Sequence, residues 1–210
     1  MYTYDKLIYD ISTVKGCGLP VKLVVGGLHG REWTVSKLLE PKIRSVNWSL
    51  VGCFIFVPRI SFDQCYRTTL SLSFYRSEAG LNLIWLLRKL KPSIYVEIHG
   101  YSKNNLRKLV DPLRLQKRGV PSFFQLRSGL LVGSVSPITL SLVDIDVPLA
   151  LELPLKPKGS ALTDCMRLLR IIARSKGSTD LWRSIAEFYD EPGFKSYLCR
   201  MRIWIELFRR

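Results

Sequence analysis

The segment VKLVVGGLHGREW, residues 21–33, decides the predicted fold. It opens with a short run of β-branched and apolar residues that ends in two glycines, which is typical of a buried strand over residues 21–27. A helix-like spacing of apolar residues begins at Glu32, although Pro41 leaves the end of that helix open. The segment therefore predicts a buried strand, a short turn that carries His29, and a helix.

The alternation of strands and helices continues through the first 100 residues. Residues 51–57 and 93–98 have the composition of buried strands, and a helix begins at Ser77 between them and ends before Pro92. Because strands that alternate with helices form parallel sheets with helices on their faces, this order predicts a mostly parallel sheet. Such sheets bind ligands at the carboxyl ends of their strands.

The second half of the chain is predicted to complete the sheet and then to become helical. Residues 59–76 are predicted to be irregular, and residues 103–118 to be a polar, basic stretch. Strands are predicted over residues 130–135, 138–143 and 147–153, and helices over about residues 160–175, 179–189 and 195–210.

The predicted fold class is α/β. We expect one domain over residues 1–210, with a central, mostly parallel (mixed) sheet flanked by helices, because 47% hydrophobic residues in a chain of this length suffice for one core. The motif-bearing core spans about residues 20–155, and the helical C-terminal part spans about residues 158–210.

The charge of the chain is strongly basic, since 32 lysines and arginines against 17 acidic residues give a formal net charge of +15. Such an excess attracts anions of every kind, so it is compatible with a small anionic substrate, nucleic acid or a membrane surface. No recognised nucleic-acid motif occurs, which makes nucleic acid the weaker alternative. The N-terminus mixes acidic with apolar residues and lacks the continuous apolar core of a signal peptide, and the longest uncharged run, residues 128–143, is too short for a transmembrane segment, so we expect a cytoplasmic protein.

The cysteines and the last helix lead to two further predictions. The five cysteines are an odd number without a C-x-x-C pair, which argues against a disulfide framework and against a cysteine zinc site. The helix over residues 195–210 has Leu198 and Met201 on one side and arginines elsewhere, which predicts that it docks on the core or on a second copy of the chain. A homo-oligomer is compatible with this pattern, and a helix on a membrane surface is the alternative.

Histidine occurs only twice, at His29 and His99, and each histidine follows a buried-strand pattern and precedes a glycine. His29 and Glu32 are three residues apart, so one helical turn points both side chains the same way. A histidine from another strand completes a two-histidine, one-glutamate set, which holds catalytic zinc with one position open for water. The alternative is a loop histidine beside a glutamate that the helix dipole stabilises.

Three segments carry a resemblance to a known family. Residues 27–33, GLHGREW, resemble the G-x-H-S-R-E-W signature of the zinc carboxypeptidases. Residues 98–102, IHGYS, are similar to their I-H-S-Y-S segment, and residues 151–153, LEL, resemble the late strand that carries their catalytic glutamate. The compact chain is closer in size to the related succinylglutamate desuccinylases and aspartoacylases, and it also resembles a compact, little-characterised archaeal family in that superfamily. Over about residues 20–155, the resemblance implies a zinc-carboxypeptidase-like fold.

The resemblance also implies a role for each matched residue of the centre. His29, Glu32 and His99 would hold one zinc ion per chain, and Glu152 would be the general base that moves a proton from water to the leaving nitrogen. Iron, manganese and cobalt are compatible with the same ligands. For Glu152, the alternative is a buried strand glutamate that is paired with an arginine.

Residues that contact the substrate follow less directly from the resemblance. Arg31 and Tyr101 match substrate-binding positions of the family. Its Asn-Arg pair is missing, and Arg67 and Arg76 lie in the region where its substrate-binding arginines occur. Glu97, on the strand that leads to the second histidine, is a candidate for orienting that ligand, with an ordinary ion pair as the alternative.

The predicted function is that of a zinc-dependent hydrolase of a carbon–nitrogen amide bond. We expect it to deacylate a small anionic N-acyl amino acid, such as N-acetylaspartate or N-succinylglutamate, with the bases of residues 103–118 around the pocket to attract the substrate. The alternatives are a zinc carboxypeptidase that acts on peptides, a zinc-binding protein without catalysis, and a basic nucleic-acid-associated protein.

Overall fold

The computed structural model describes residues 13–30, 32–62 and 65–208. The strands are β1 (Thr13–Gly16), β2 (Val21–Gly26), β3 (Cys53–Val57), β4 (Ile94–Tyr101), β5 (Phe124–Gln125), β6 (Leu131–Ser134) and β7 (Val147–Pro154). The helices are α1 (Trp33–Ser45), α2 (Leu72–Tyr75), α3 (Glu78–Leu90), α4 (Lys103–Leu109), α5 (Arg114–Arg118), α6 (Pro137–Leu142), α7 (Gly159–Arg174), α8 (Ser178–Phe188) and α9 (Phe194–Glu206).

These elements form one α/β domain around a seven-stranded mixed sheet, in the order β1-β3-β2-β4-β7-β6-β5. The four central strands, β3, β2, β4 and β7, are parallel, and β1, β6 and β5 pair antiparallel at the two edges. All eight residues of β4 are buried, as is usual for a parallel strand that is covered on both faces. The predicted α/β class with a mostly parallel, mixed sheet is therefore confirmed, whereas a zinc-carboxypeptidase-like fold stays a prediction.

The position of β2 creates a crevice at one end of the sheet. The chain leaves β2 for β3 on one side and reaches β4 on the other side, so the order of the strands reverses at β2. Ligands bind in such sheets where this reversal separates the carboxyl ends of two neighbouring strands. Gly26, the last residue of β2, pairs with Ile98, so the turn after β2 begins beside the end of β4.

The C-terminal helices are fastened to the sheet by hydrogen bonds to main-chain carbonyl groups. The Lys22 ammonium, fully buried on β2, donates to the carbonyl oxygen of Ala173 in α7 at 2.9 Å. The Tyr197 hydroxyl of α9 donates to the carbonyl oxygen of Val132 in β6 at 2.9 Å. Leu198 of α9 is buried as well, so this helix docks on the core as one of the sequence alternatives expects.

Two predicted segments have a different secondary structure. Residues 138–143 were expected as a strand, but they lie largely in α6, because Ser136 caps that helix by accepting from the Ile138 N–H and Pro137 suits its first turn. A short apolar run does not distinguish a strand from a buried helix by its spacing. The basic stretch over residues 103–118 contains two short helices, α4 and α5.

Other differences concern the edges and the end of one helix. The strands β1 and β5 and the short helix α2 have no counterpart among the predicted elements. The first helix continues through Pro41, because Leu39 and Ile43 on either side are fully buried and their packing outweighs the lost hydrogen bond. None of the helices in the described part of the chain combines the length and the apolar character that crossing a bilayer requires.

Candidate metal centre

His29, Glu32 and His99 come together at the crevice. Each of them offers one ligand atom, and these three atoms all lie within 4.8 Å of one another. Both histidines are buried and Glu32 is half-buried, so little water competes for the group. Within residues 13–30, 32–62 and 65–208, this group could hold a metal ion.

His29 has a ring nitrogen that fits a metal ligand. Its Nδ1 is buried without a hydrogen-bond partner, although it lies 3.4 Å from Oε2 of Glu32. Burial lowers the pKa of His29 to about 4, so the ring is neutral at pH 7 and keeps a lone pair for a metal. The Tyr66 ring packs edge-on against His29, with ring centroids 4.7 Å apart, and limits its rotation.

His99 is held between two carboxylates. Its Nδ1 lies 2.8 Å from Oε2 of Glu32, and its Nε2 lies 2.9 Å from Oε2 of Glu97. Burial alone lowers the pKa of His99, but the adjacent carboxylates outweigh burial and raise the pKa well above its ordinary value. The metal-free ring is therefore protonated at pH 7 and donates from both nitrogens.

Glu97 fixes the orientation of His99. The carboxylate of Glu97 is almost fully buried and also accepts a hydrogen bond from the Tyr95 hydroxyl at 3.1 Å. With Nε2–H of His99 donated to Glu97, Nδ1 is the atom that faces Glu32 and can bind a metal. Carboxylates that hold a metal-binding histidine in this way also increase its basicity.

Glu152 lies beside the metal group because of the register in which β4 and β7 pair. It pairs with His99 across the parallel strands β4 and β7, so both side chains lie on the same face. Within the described part of the chain, Glu152 forms no hydrogen bond and no ion pair, but the charge of Arg114 acts on it through space, so the alternative of an arginine-paired glutamate stays open. Burial raises the pKa of Glu152 to about 7, and nearby His99 opposes this rise.

A cavity of about 550 Å³ connects these side chains. Its lining includes the metal group, Glu97, Glu152 and Tyr101, and the segment 66–71 contributes Tyr66, Thr68, Thr69, Leu70 and Ser71. The volume is typical of a small-molecule site. The centre therefore opens into a partly open cavity in which a substrate of modest size can reach it.

The predicted substrate residues do not all lie in this cavity. Tyr101 lines it, and its hydroxyl donates to the carbonyl oxygen of Gly129 at 2.7 Å. Arg31 lies outside the described residues. Arg67 is half-buried and Arg76 is exposed at the end of α2, and neither is among the described residues that line the cavity.

Three of the bases that were expected to surround the pocket do line the cavity: Lys108, Arg114 and Arg118. They come from α4 and α5, within the stretch that was expected to surround the pocket. The remaining bases of that stretch, Lys103, Arg107 and Lys117, are not among the described lining residues. The basic composition of the stretch predicted a basic surface here. Which three of its bases line the cavity depends on how α4 and α5 are rotated about their own axes. No sequence pattern pointed to Tyr66.

Comparisons with known proteins identify an archaeal family. A family profile described as "Uncharacterized protein conserved in archaea (DUF2119)" matches residues 17–196. The chain is 29% identical over 187 residues to the uncharacterized protein MJ0501 of Methanocaldococcus jannaschii, and the similarity covers 88% of this chain and 91% of that protein. No solved structure matches the chain.

The family predicted from the short motifs, the superfamily of zinc carboxypeptidases, succinylglutamate desuccinylases and aspartoacylases, is wrong. The family that matches is a different one, and no family of that superfamily matches the chain. The physical reason is that any His-x-x-Glu at the start of a helix can chelate a metal, so short motifs of this kind recur without common descent. The archaeal part of the expectation is confirmed: the chain belongs to the DUF2119 family of proteins conserved in archaea.

Proposed function

We propose that this protein is a zinc-dependent hydrolase of a carbon–nitrogen amide bond that deacylates a small anionic N-acyl amino acid. One observation carries the proposal. The buried Glu152 carboxyl, which forms no hydrogen bond and no ion pair with a described residue, lies on the strand next to that of His99, in a cavity that also contains the group able to hold a metal. An acid that can change its protonation near pH 7 beside a metal group is an arrangement that supports metal-assisted amide hydrolysis.

His29, Glu32 and His99 would hold one zinc ion per chain. The fit rests on the buried, unpartnered Nδ1 of His29 and on the carboxylate of Glu97, which orients His99. Two nitrogens and one carboxylate oxygen form a ligand set that leaves a fourth position open. Zinc in such a site supplies Lewis acidity, which polarises an amide carbonyl and makes water more acidic.

Glu152 would move the proton. Its carboxylate form accepts a proton from the attacking water at a carboxylate oxygen, and its acid form returns that proton to the leaving nitrogen. Because burial raises the pKa of Glu152 to about 7, both forms are accessible at neutral pH. Glu97 is occupied by His99 and Tyr95, so Glu152 is the carboxyl in this cavity that is available to carry a proton.

The cavity supports a small substrate in preference to a peptide. Its volume of about 550 Å³ is in the range of small-molecule sites, and three of its described lining residues are basic. An N-acyl amino acid has a scissile amide and at least one carboxylate, so it matches both features.

The test combines metal analysis with one substitution of the base. We expect about one zinc per purified chain, and we expect its loss in a His29→Ala/His99→Ala double variant. Glu152→Gln should keep zinc and lower kcat on N-acetylaspartate, N-acetylglutamate or N-succinylglutamate by roughly 10²- to 10⁴-fold, the usual contribution of a general base.

Glu187→Gln is the matched control, because Glu187 is exposed on α8 and is not among the described residues that line the cavity. Its zinc content and kcat should equal those of the unchanged protein. Failure to take up zinc on titration would refute the metal centre. Full zinc content without hydrolysis of any N-acyl amino acid would leave a zinc-binding protein that is not this enzyme.

A further inference from the structure

Arg114 is a buried cation in the cavity of the metal group. The residue is only 9% exposed. Its Nη1 donates to the carbonyl oxygen of Pro121 at 2.7 Å, and its guanidinium carbon lies 4.9 Å from the centroid of the Phe123 ring. A carbonyl oxygen and an aromatic ring hold the side chain in place, but neither of them carries a charge that neutralises it.

No carboxylate in the described part of the chain forms an ion pair with Arg114. Glu152 lines the same cavity and interacts with Arg114 through space, but no hydrogen bond or ion pair joins the two side chains. A buried charge without a partner is costly, and a bound anion would offset that cost. The guanidinium has five N–H donors in a planar fork, and Pro121 accepts from one of them.

Two further cations line the same cavity. Lys108 at the end of α4 and Arg118 at the end of α5 are both exposed, and neither forms an ion pair with a described carboxylate. These two exposed cations attract an anion by their charge, and the buried guanidinium of Arg114 selects it by its geometry.

We propose that Arg114 binds a free carboxylate of the substrate, with Arg118 and Lys108 assisting from the exposed part of the cavity. The planar fork of a guanidinium matches a carboxylate through two parallel hydrogen bonds. This inference rests on the proposed hydrolase and deepens it, because it assigns substrate selection to the helices after β4 and not to the region of Arg67 and Arg76. The substrate class is that of small molecules with a free carboxylate in addition to the scissile amide.

Calorimetric binding of succinate to the full-length, zinc-loaded protein tests the assignment. Arg114→Gln should weaken succinate binding by roughly 10- to 100-fold, since hydrogen bonds to charged groups are lost. Arg114→Lys keeps the charge without the fork and should give an intermediate loss. Neutral succinamide should bind weakly to every variant, because it carries no charge for the guanidinium to pair with.

Arg107→Gln is the matched control, because Arg107 is exposed on α4 and is not among the described lining residues. It removes the same charge from the same region and should change succinate binding by less than about twofold. If Arg114→Gln does not fold, which circular dichroism detects, the exposed Arg118→Gln decides: it should weaken succinate binding by about 2- to 5-fold.

Two outcomes would overturn the inference. The first is succinate binding in folded Arg114→Gln within about twofold of the unchanged protein. The second applies if Arg114→Gln does not fold, and it is an equal effect of the Arg107 and Arg118 substitutions on succinate binding. Either outcome would mean that the cations of this cavity do not select a carboxylate.

Zinc content and hydrolysis are measured on the same samples, so this inference and the proposed function can fail separately. Succinate binding that depends on Arg114, without hydrolysis of any N-acyl amino acid, refutes the enzyme and leaves the carboxylate site. The opposite result is hydrolysis that is lost in Glu152→Gln together with succinate binding that is unchanged in Arg114→Gln. That result refutes the carboxylate site and leaves the proposed enzyme standing.

Discussion

Zinc binding should release a proton from His99, and the number released can be worked out from the structure. In the metal-free protein the carboxylates of Glu32 and Glu97 raise the pKa of His99 well above its ordinary value, so His99 carries one extra proton at pH 7. The pKa of His29 is lowered to about 4 by burial, so His29 has no extra proton to release. A metal on Nδ1 of His99 must displace the proton there.

The expected total at pH 7 is therefore about one proton per zinc from His99. Glu152 can add up to about half a proton. Its pKa of about 7 leaves it half protonated before zinc binds, and the positive charge of bound zinc would favour its carboxylate form. Two histidines with the ordinary pKa of about 6.5 would together release only about half a proton. Since the proton competes with the metal, zinc affinity should fall at least about tenfold for each pH unit below neutrality.

Isothermal titration calorimetry provides the measurement. Zinc is titrated at pH 7 in several non-chelating buffers of different ionisation enthalpy, and the slope of the observed enthalpy against ionisation enthalpy counts the protons. Glu97→Gln removes one of the carboxylates that hold His99 protonated and should lower the count, whereas Tyr95→Phe keeps that carboxylate and should not. A slope of half a proton or less in the unchanged protein would contradict the ring charge inferred for His99.

Three further predictions concern the parts of the fold that support this centre. Glu97→Gln should weaken zinc binding by roughly 10- to 100-fold in a chelator competition, because the partner that orients the histidine is altered. Gly26→Ala should lower the free energy of unfolding in urea by about 1–3 kcal/mol, since the added Cβ would lie 1.9 Å from Oγ of Ser36, whereas Gly159→Ala, with no atom within 4 Å, should not. Burial lowers the pKa of Lys22 to about 8 from 10.5, so between these pH values the unfolded chain binds a proton that the folded chain has lost. Stability in urea should therefore rise with pH across that window, and Lys22→Met should remove this part of the rise.

The metal group could be predicted from the sequence because its positions depend on local patterns. His29 and His99 each follow a buried-strand pattern, and parallel strands in an alternating α/β chain present their carboxyl ends at one edge of the sheet. The spacing of Glu32 from His29 places both on one turn. These are consequences of short-range periodicity and of the rules for connecting parallel strands, which a sequence carries directly.

The family, in contrast, could not be read from those motifs. The metal-ligating pattern needs only a few side chains at chelating distances, and such a pattern arises in proteins of different descent. The match over residues 17–196 depends on the whole chain, including the C-terminal helices that none of the motifs covers.

By itself, the sequence determined the alternation of strands and helices, the positions of His29, Glu32 and His99 at the end of the sheet, and a basic surface after β4. Only the tertiary structure decided that Glu152 pairs in register with His99 and that Arg114, and not Arg76, lines the cavity. The physical reason is the range of the interactions. Local periodicity sets the elements, whereas the register between distant strands and the rotation of short helices are set by packing of the whole core.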